Sequence, residues 1–70
     1  MIEFALPAAG RTSLTVYNQI GQAVRTLVDG QLTAGKHRIS FDGRGLPNGA
    51  YFYRLTTPDG AEVRKLLLVR

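Results

Sequence analysis

Seventy residues, 44% of them hydrophobic, furnish one small core, so a single domain over residues 1–70 is expected and a second is excluded. The absence of Cys excludes a disulfide scaffold and thiol chemistry, and eight Gly with three Pro fit an ordinary turn-rich globular chain. Nine basic against five acidic residues give a formal charge of +4, but the basic residues are scattered in no run longer than two. That is not the basic patch with interleaved aromatics that nucleic acid requires, so no nucleic-acid partner is expected. The longest apolar run, Leu66 to Val69, falls far short of the roughly 20 residues of a spanning helix, and no membrane insertion is expected. Met1 is followed by Ile2, Glu3 and Phe4, not by a basic stretch and an apolar core, so no signal peptide is expected at this end.

Turn signals recur along the chain at Pro7 to Gly10, Asn18 to Gly21, Asp29-Gly30, Ala34-Gly35, Asp42 to Gly45, Pro47-Asn48-Gly49 and Pro58-Asp59-Gly60. The segments between them hold four to nine residues, the length of strands. In 12–17, Leu14 and Val16 share one face and Ser13, Thr15 and Tyr17 the other. Segment 22–28 places Val24, Leu27 and Val28 at helical spacing. A strand with a β-bulge near Arg25-Thr26 would return both Val24 and Leu27 to the core, and suits the tight Asn18 to Gly21 link. In that link Asn18 tolerates the left-handed region and Gly21 reaches positive φ. Segment 36–42 sets His37, Ile39 and Phe41 against Arg38, Ser40 and Asp42. Segment 50–56 sets Tyr51, Tyr53 and Leu55 against Phe52, Arg54 and Thr56. In 62–70 both faces are apolar, with Val63, Leu67 and Val69 on one and Leu66 and Leu68 on the other. The expected class is all-β: an immunoglobulin-like antiparallel β-sandwich of about seven short strands, with a partly open barrel as the other closure. A sandwich this small is marginally stable alone, and its edges favour self-association.

An ordered set of motifs runs through residues 2–70. It begins with Ile2-x-Phe4-x-Leu6-Pro7 and Leu14-Thr15-Val16-Tyr17-Asn18 with Gly21 and Val24, then Leu27-Val28-Asp29-Gly30 and Ala34-Gly35-Lys36-His37. Phe41-Asp42, Leu46-Pro47-Asn48-Gly49-Ala50-Tyr51-Phe52-Tyr53-Arg54-Leu55 and Lys65-Leu66-Leu67-Leu68-Val69-Arg70 complete it. The set resembles the type A C-terminal sorting domain of type IX secretion cargo, and is also similar to the Ig-like domain of the flagellar hook-capping protein. The first resemblance implies a module at the end of a longer exported protein, passing from the periplasm to the outer membrane or the cell exterior. It implies an upstream cargo domain, the secretion translocon and sortase-like processing proteins as partners.

No enzyme is expected. The chain has a single His, and alternation turns His37 away from Ser40 and Asp42, so a Ser-His-Asp arrangement does not converge. Asp29, Asp42 and Asp59 each precede Gly, as in Asx-type turns, and their spacing matches no calcium loop. Gly43-Arg44-Gly45 lacks the rest of a phosphate-binding motif, so no cofactor is expected. An interaction surface is the remaining candidate. If Val63, Leu67 and Val69 point inward, then Leu66 and Leu68 point outward with Tyr17 and Phe52, flanked by Lys65 and Arg70. Cross-strand packing of the aromatics and protection of an edge by the basic residues would account for the same side chains structurally. The function expected is a sorting module that directs an attached cargo protein through the type IX secretion machinery; the alternatives are a structural Ig-like accessory domain of hook capping or surface assembly, and a small carbohydrate-binding module using Tyr17 and Phe52.

Overall fold

The computed structural model describes residues 2–69. Six strands follow one another: β1 (Ile2–Leu6), β2 (Gly10–Tyr17), β3 (Ala23–Leu32), β4 (Gly35–Ile39), β5 (Gly49–Thr57) and β6 (Gly60–Leu68). All pairings are antiparallel and form a four-stranded sheet, β3-β2-β5-β6, and a two-stranded sheet, β1-β4. The class is the expected all-β, Ig-like sandwich. The count is six strands rather than about seven, because the chain between Ile39 and Gly49 forms no strand. That segment is built from turn residues instead: Asp42 Oδ1 accepts from the Arg44 amide at 3.0 Å, and the Leu46 amide donates to the Gly43 carbonyl at 3.0 Å. Phe41, expected on a strand face, lies in this loop and still packs against the core.

The core is assembled by alternation. Thr12, Leu14 and Val16 are fully buried on one face of β2, and Ile2 and Leu6 are buried on the facing side of β1. Val16, Tyr51 and Leu46 form a hydrophobic cluster, with Val24, Leu27, Phe41, Tyr53, Leu66 and Leu68 partly buried against it. The Tyr51 hydroxyl donates to the Pro47 carbonyl at 2.6 Å and ties the loop before β5 to the strand. A tyrosine bonded to the backbone a few residues upstream is the corner device of Ig-type sandwiches.

Strand β3 carries no helix, and it carries two bulges. Val28 faces Leu14 and Thr26 faces Thr15, leaving Leu27 as the extra residue; Arg25 faces Val16 and Ala23 faces Tyr17, leaving Val24 as the second. A bulge shifts side-chain parity by one, so both land on the core, which is how a helical spacing is read out by a strand. The β2–β3 link also departs from expectation in detail. Gly21 takes φ 86°, but among the described residues no non-glycine residue has positive φ, Asn18 included. Asn18 acts through its side chain: Oδ1 accepts from the amides of Ile20 at 3.1 Å and Gln22 at 3.0 Å, and Nδ2 donates to Gln22 Oε1 at 2.9 Å. Asn18→Ala is therefore expected to cost about 1 kcal/mol, read as a lower urea midpoint, while Asn18→Asp keeps both amide bonds and most of the stability.

The covering sheet has half the strands of its partner. For 7.7 kDa a compact monomer exposes about 4,300 Å², whereas this chain exposes 4752 Å² and measures 35 × 21 × 16 Å.

Candidate functional site

The final strand positions most of the candidate residues, and its register decides which way each points. In β5–β6, Tyr51 faces Leu66 and Gly49 faces Leu68. Directly opposed residues of an antiparallel pair share a face, and Tyr51 is buried, so Leu66 and Leu68 point into the sandwich. Leu68 is packed so closely beneath the 40s loop that a Cβ added at Gly43 would come within 2.5 Å of its Cδ1. The expected outward orientation of Leu66 and Leu68 is thus corrected. Val63 and Leu67 take the outer face and are 61% and 67% exposed, and Val69 beyond them is exposed too. Both faces of β6 are apolar, so alternation alone does not say which one the core accepts; the pairing with Tyr51 does.

Three of the remaining candidates, Tyr17, Phe52 and Lys65, share one face. Tyr17 faces Phe52, and Phe52 faces Lys65, forming one row across β2, β5 and β6 on the outer face. Phe52 is 36% exposed. Beside this row, Arg54 lies opposite Thr15 and Val63, and Ala50 lies opposite Leu67. Arg70, the last candidate, lies outside the described residues. Val63, Leu67 and Arg54 are surface residues that the sequence reading did not select; the visible signal for the first two was the double apolar face of β6, read with the wrong side inward.

On the inner face of β6, Leu66 and Leu68 give way toward the start of the strand to Arg64 and Glu62, opposite Tyr53 and Leu55, and these two charged side chains pair with each other. They border a cleft of about 390 Å³ lined by Phe4, Leu14, Tyr53 and Leu55, where the two-stranded sheet stops short. Inward-pointing charge at an open edge is a device against strand-to-strand aggregation.

The ionisable groups are dispersed. His37 stacks on Phe4 with ring centroids 5.5 Å apart, and its Nε2 lies 2.7 Å from the Thr33 carbonyl, which can only accept, so Nε2 carries a proton. Asp42 makes the expected Asx turn, but Asp29 pairs with Arg11 at 2.8 Å and Asp59 enters a turn whose amide donates to Thr57 Oγ1.

A family model for the FlgD Ig-like domain matches residues 2–65. The chain belongs to this family. Two curated relatives, the basal-body rod modification protein FlgD of Salmonella typhimurium and that of Salmonella typhi, are each 34% identical over 64 residues, which is 84% of this chain and 27% of the relative. The chain thus spans about a quarter of the length of the curated relatives it matches. No solved structure matches it. The family overturns the sorting-domain reading drawn from the motifs: the resemblance to the flagellar Ig-like domain holds, and the type IX assignment does not. The physical reason lies in what those motifs do. Val16 fills the core, Asn18 closes a turn and Tyr51 forms the corner, so they specify the sandwich and carry no information about what reads it.

Proposed function

We propose that the chain is a structural Ig-like accessory module of a flagellar rod or hook assembly protein, acting by contact and not by catalysis. The observation that carries this reading is the FlgD Ig-like match over residues 2–65, supported by relatives whose name is basal-body rod modification protein. The geometry agrees with a contact role. His37 is engaged by Phe4 and Thr33, and Glu3, Asp29, Asp42 and Glu62 pair at the surface with Arg38, Arg11, Arg44 and Arg64. What the sheet offers to solvent is side-chain surface, with the apolar residues of β5 and β6 beside two cations. Work outside the inner membrane, as part of an exported protein, belongs to the same proposal.

Deleting the codons for residues 2–69 from the chromosomal gene is expected to abolish or shorten hooks in electron micrographs of isolated basal bodies, with loss of swimming. Normal hooks and wild-type motility in that strain, or a host that builds no flagella, would reject the assignment.

A further inference from the structure

We propose that the outer face of the four-stranded sheet, centred on Phe52, Arg54, Val63, Lys65 and Leu67, docks a short segment of another protein that is both apolar and acidic. The proposal does not depend on the assembly role, because it rests on the chemistry of one face. In a sandwich the outer face of a sheet normally alternates to polar residues. Here Phe52, Val63 and Leu67 remain exposed on it, with Tyr17 adjoining, and Ala50 of β5, opposite Leu67, adds no polar group.

Charge selects the occupant. Arg54 and Lys65 stand on this face next to the apolar side chains, and among the described residues neither has an ion-pair partner. The acidic residue that the strand register places on this face is Asp29, opposite Ser13, and Arg11 already holds it at 2.8 Å. Glu62 lies on the opposite face with Arg64. A carboxylate delivered between apolar contacts meets cations that become partly shielded from water, where a charge-assisted hydrogen bond is worth more than in bulk solvent. A second copy docked face to face would bring Arg54 and Lys65 against their own kind, which like-charge repulsion opposes. Two cations set among hydrophobic side chains also make no continuous track for a phosphate backbone.

Size selects a segment over a domain. From the Arg54–Val63 pair to the Ala50–Leu67 pair is four residue steps, about 13 Å, and three strands span about 10 Å. The patch is far below the ~800 Å² that each partner contributes to a standard domain interface.

The test pans the 70-residue chain against a phage library of random dodecapeptides. Enriched peptides are expected to combine Asp or Glu with Leu, Phe or Trp. The best of them, synthesised, is expected to shift the amide resonances of Phe52, Arg54, Val63, Lys65 and Leu67. Reversing charge in the Arg54→Glu/Lys65→Glu variant is expected to weaken that peptide about tenfold or more, with the circular dichroism spectrum and urea midpoint retained. If the double reversal disturbs the fold, Lys65→Gln alone supplies the comparison, with weakened binding expected. Failure to enrich any peptide, enrichment of basic or uncharged ones, shifts confined to another face, or affinity indifferent to charge reversal would each overturn the proposal. So would a dimer in sedimentation that disappears in Phe52→Thr/Leu67→Thr, since the face would then belong to a second copy, and so would resonance shifts on this face with oligosaccharide or oligonucleotide but not with the acidic peptide.

Discussion

Replacing Leu66 and Leu68 together by Thr is expected to remove a large share of the domain's stability, whereas replacing Val63 and Leu67 together by Thr is expected to leave it nearly unchanged. All four are apolar residues of one strand region, and the substitutions are chemically alike. The difference lies in where the side chains sit. Leu66 and Leu68 are half-buried against the cluster of Val16, Leu46 and Tyr51. Losing most of a leucine from a full core costs about 2–5 kcal/mol, and half-burial reduces this to about 1–2 kcal/mol each. The pair then removes about 2–4 kcal/mol from a total of about 4–10 kcal/mol for a chain of this length. Val63 and Leu67 already meet solvent, so their replacement stays within about 0.5 kcal/mol each, with Thr retaining β-propensity. Urea titration followed by circular dichroism separates the two cases: the inner pair is expected to lower the midpoint by 1 M or more, at a slope of about 1–2 kcal/mol per M. An unchanged midpoint for the inner pair would mean that the register of β5 and β6 is not as described.

Tyr51→Ala is expected to be the most damaging single substitution in the β5 region, and Tyr51→Phe to retain most of the fold. Tyr51 is buried in the cluster with Val16 and Leu46, and truncating an aromatic there costs about 3–5 kcal/mol. Phe keeps the ring and loses only the bond from the hydroxyl to the Pro47 carbonyl, a net cost of about 1 kcal/mol. The two variants therefore divide the contribution of this tyrosine into packing and corner. Equal midpoints for Phe and wild type would show that the corner bond adds nothing, and equal loss for Phe and Ala would show that the corner bond dominates. The loop from Phe41 to Asn48 is expected to report the Phe variant more strongly than the sheet does, through faster amide exchange at Leu46.

Alternation and turn residues, both local properties, made the strand content, the buried face of β2 and the outward row of Tyr17 and Phe52 readable along the chain. That β3 is an irregular strand was readable for the same reason, since Val24 and Leu27 can both reach a core only if parity slips, but the strand slips twice, at Leu27 and at Val24, where a single bulge near Arg25-Thr26 was expected. Strand β6 was not readable in this way. With apolar residues at 63, 66, 67, 68 and 69, either parity offers a core, and only the contact of Leu66 with the Tyr51 side of β5 breaks the tie. The pairing of Arg64 with Glu62 at the open cleft, and the isolation of Arg54 and Lys65 on the far face, likewise depend on which strands are neighbours. Strand order joins residues distant along the chain, and a long-range pairing leaves no trace in a short-range pattern. The same separation explains the corrected family assignment: local motifs encode how the sandwich closes, whereas the outer face proposed above as a docking surface is assembled by tertiary structure from side chains of β2, β5 and β6.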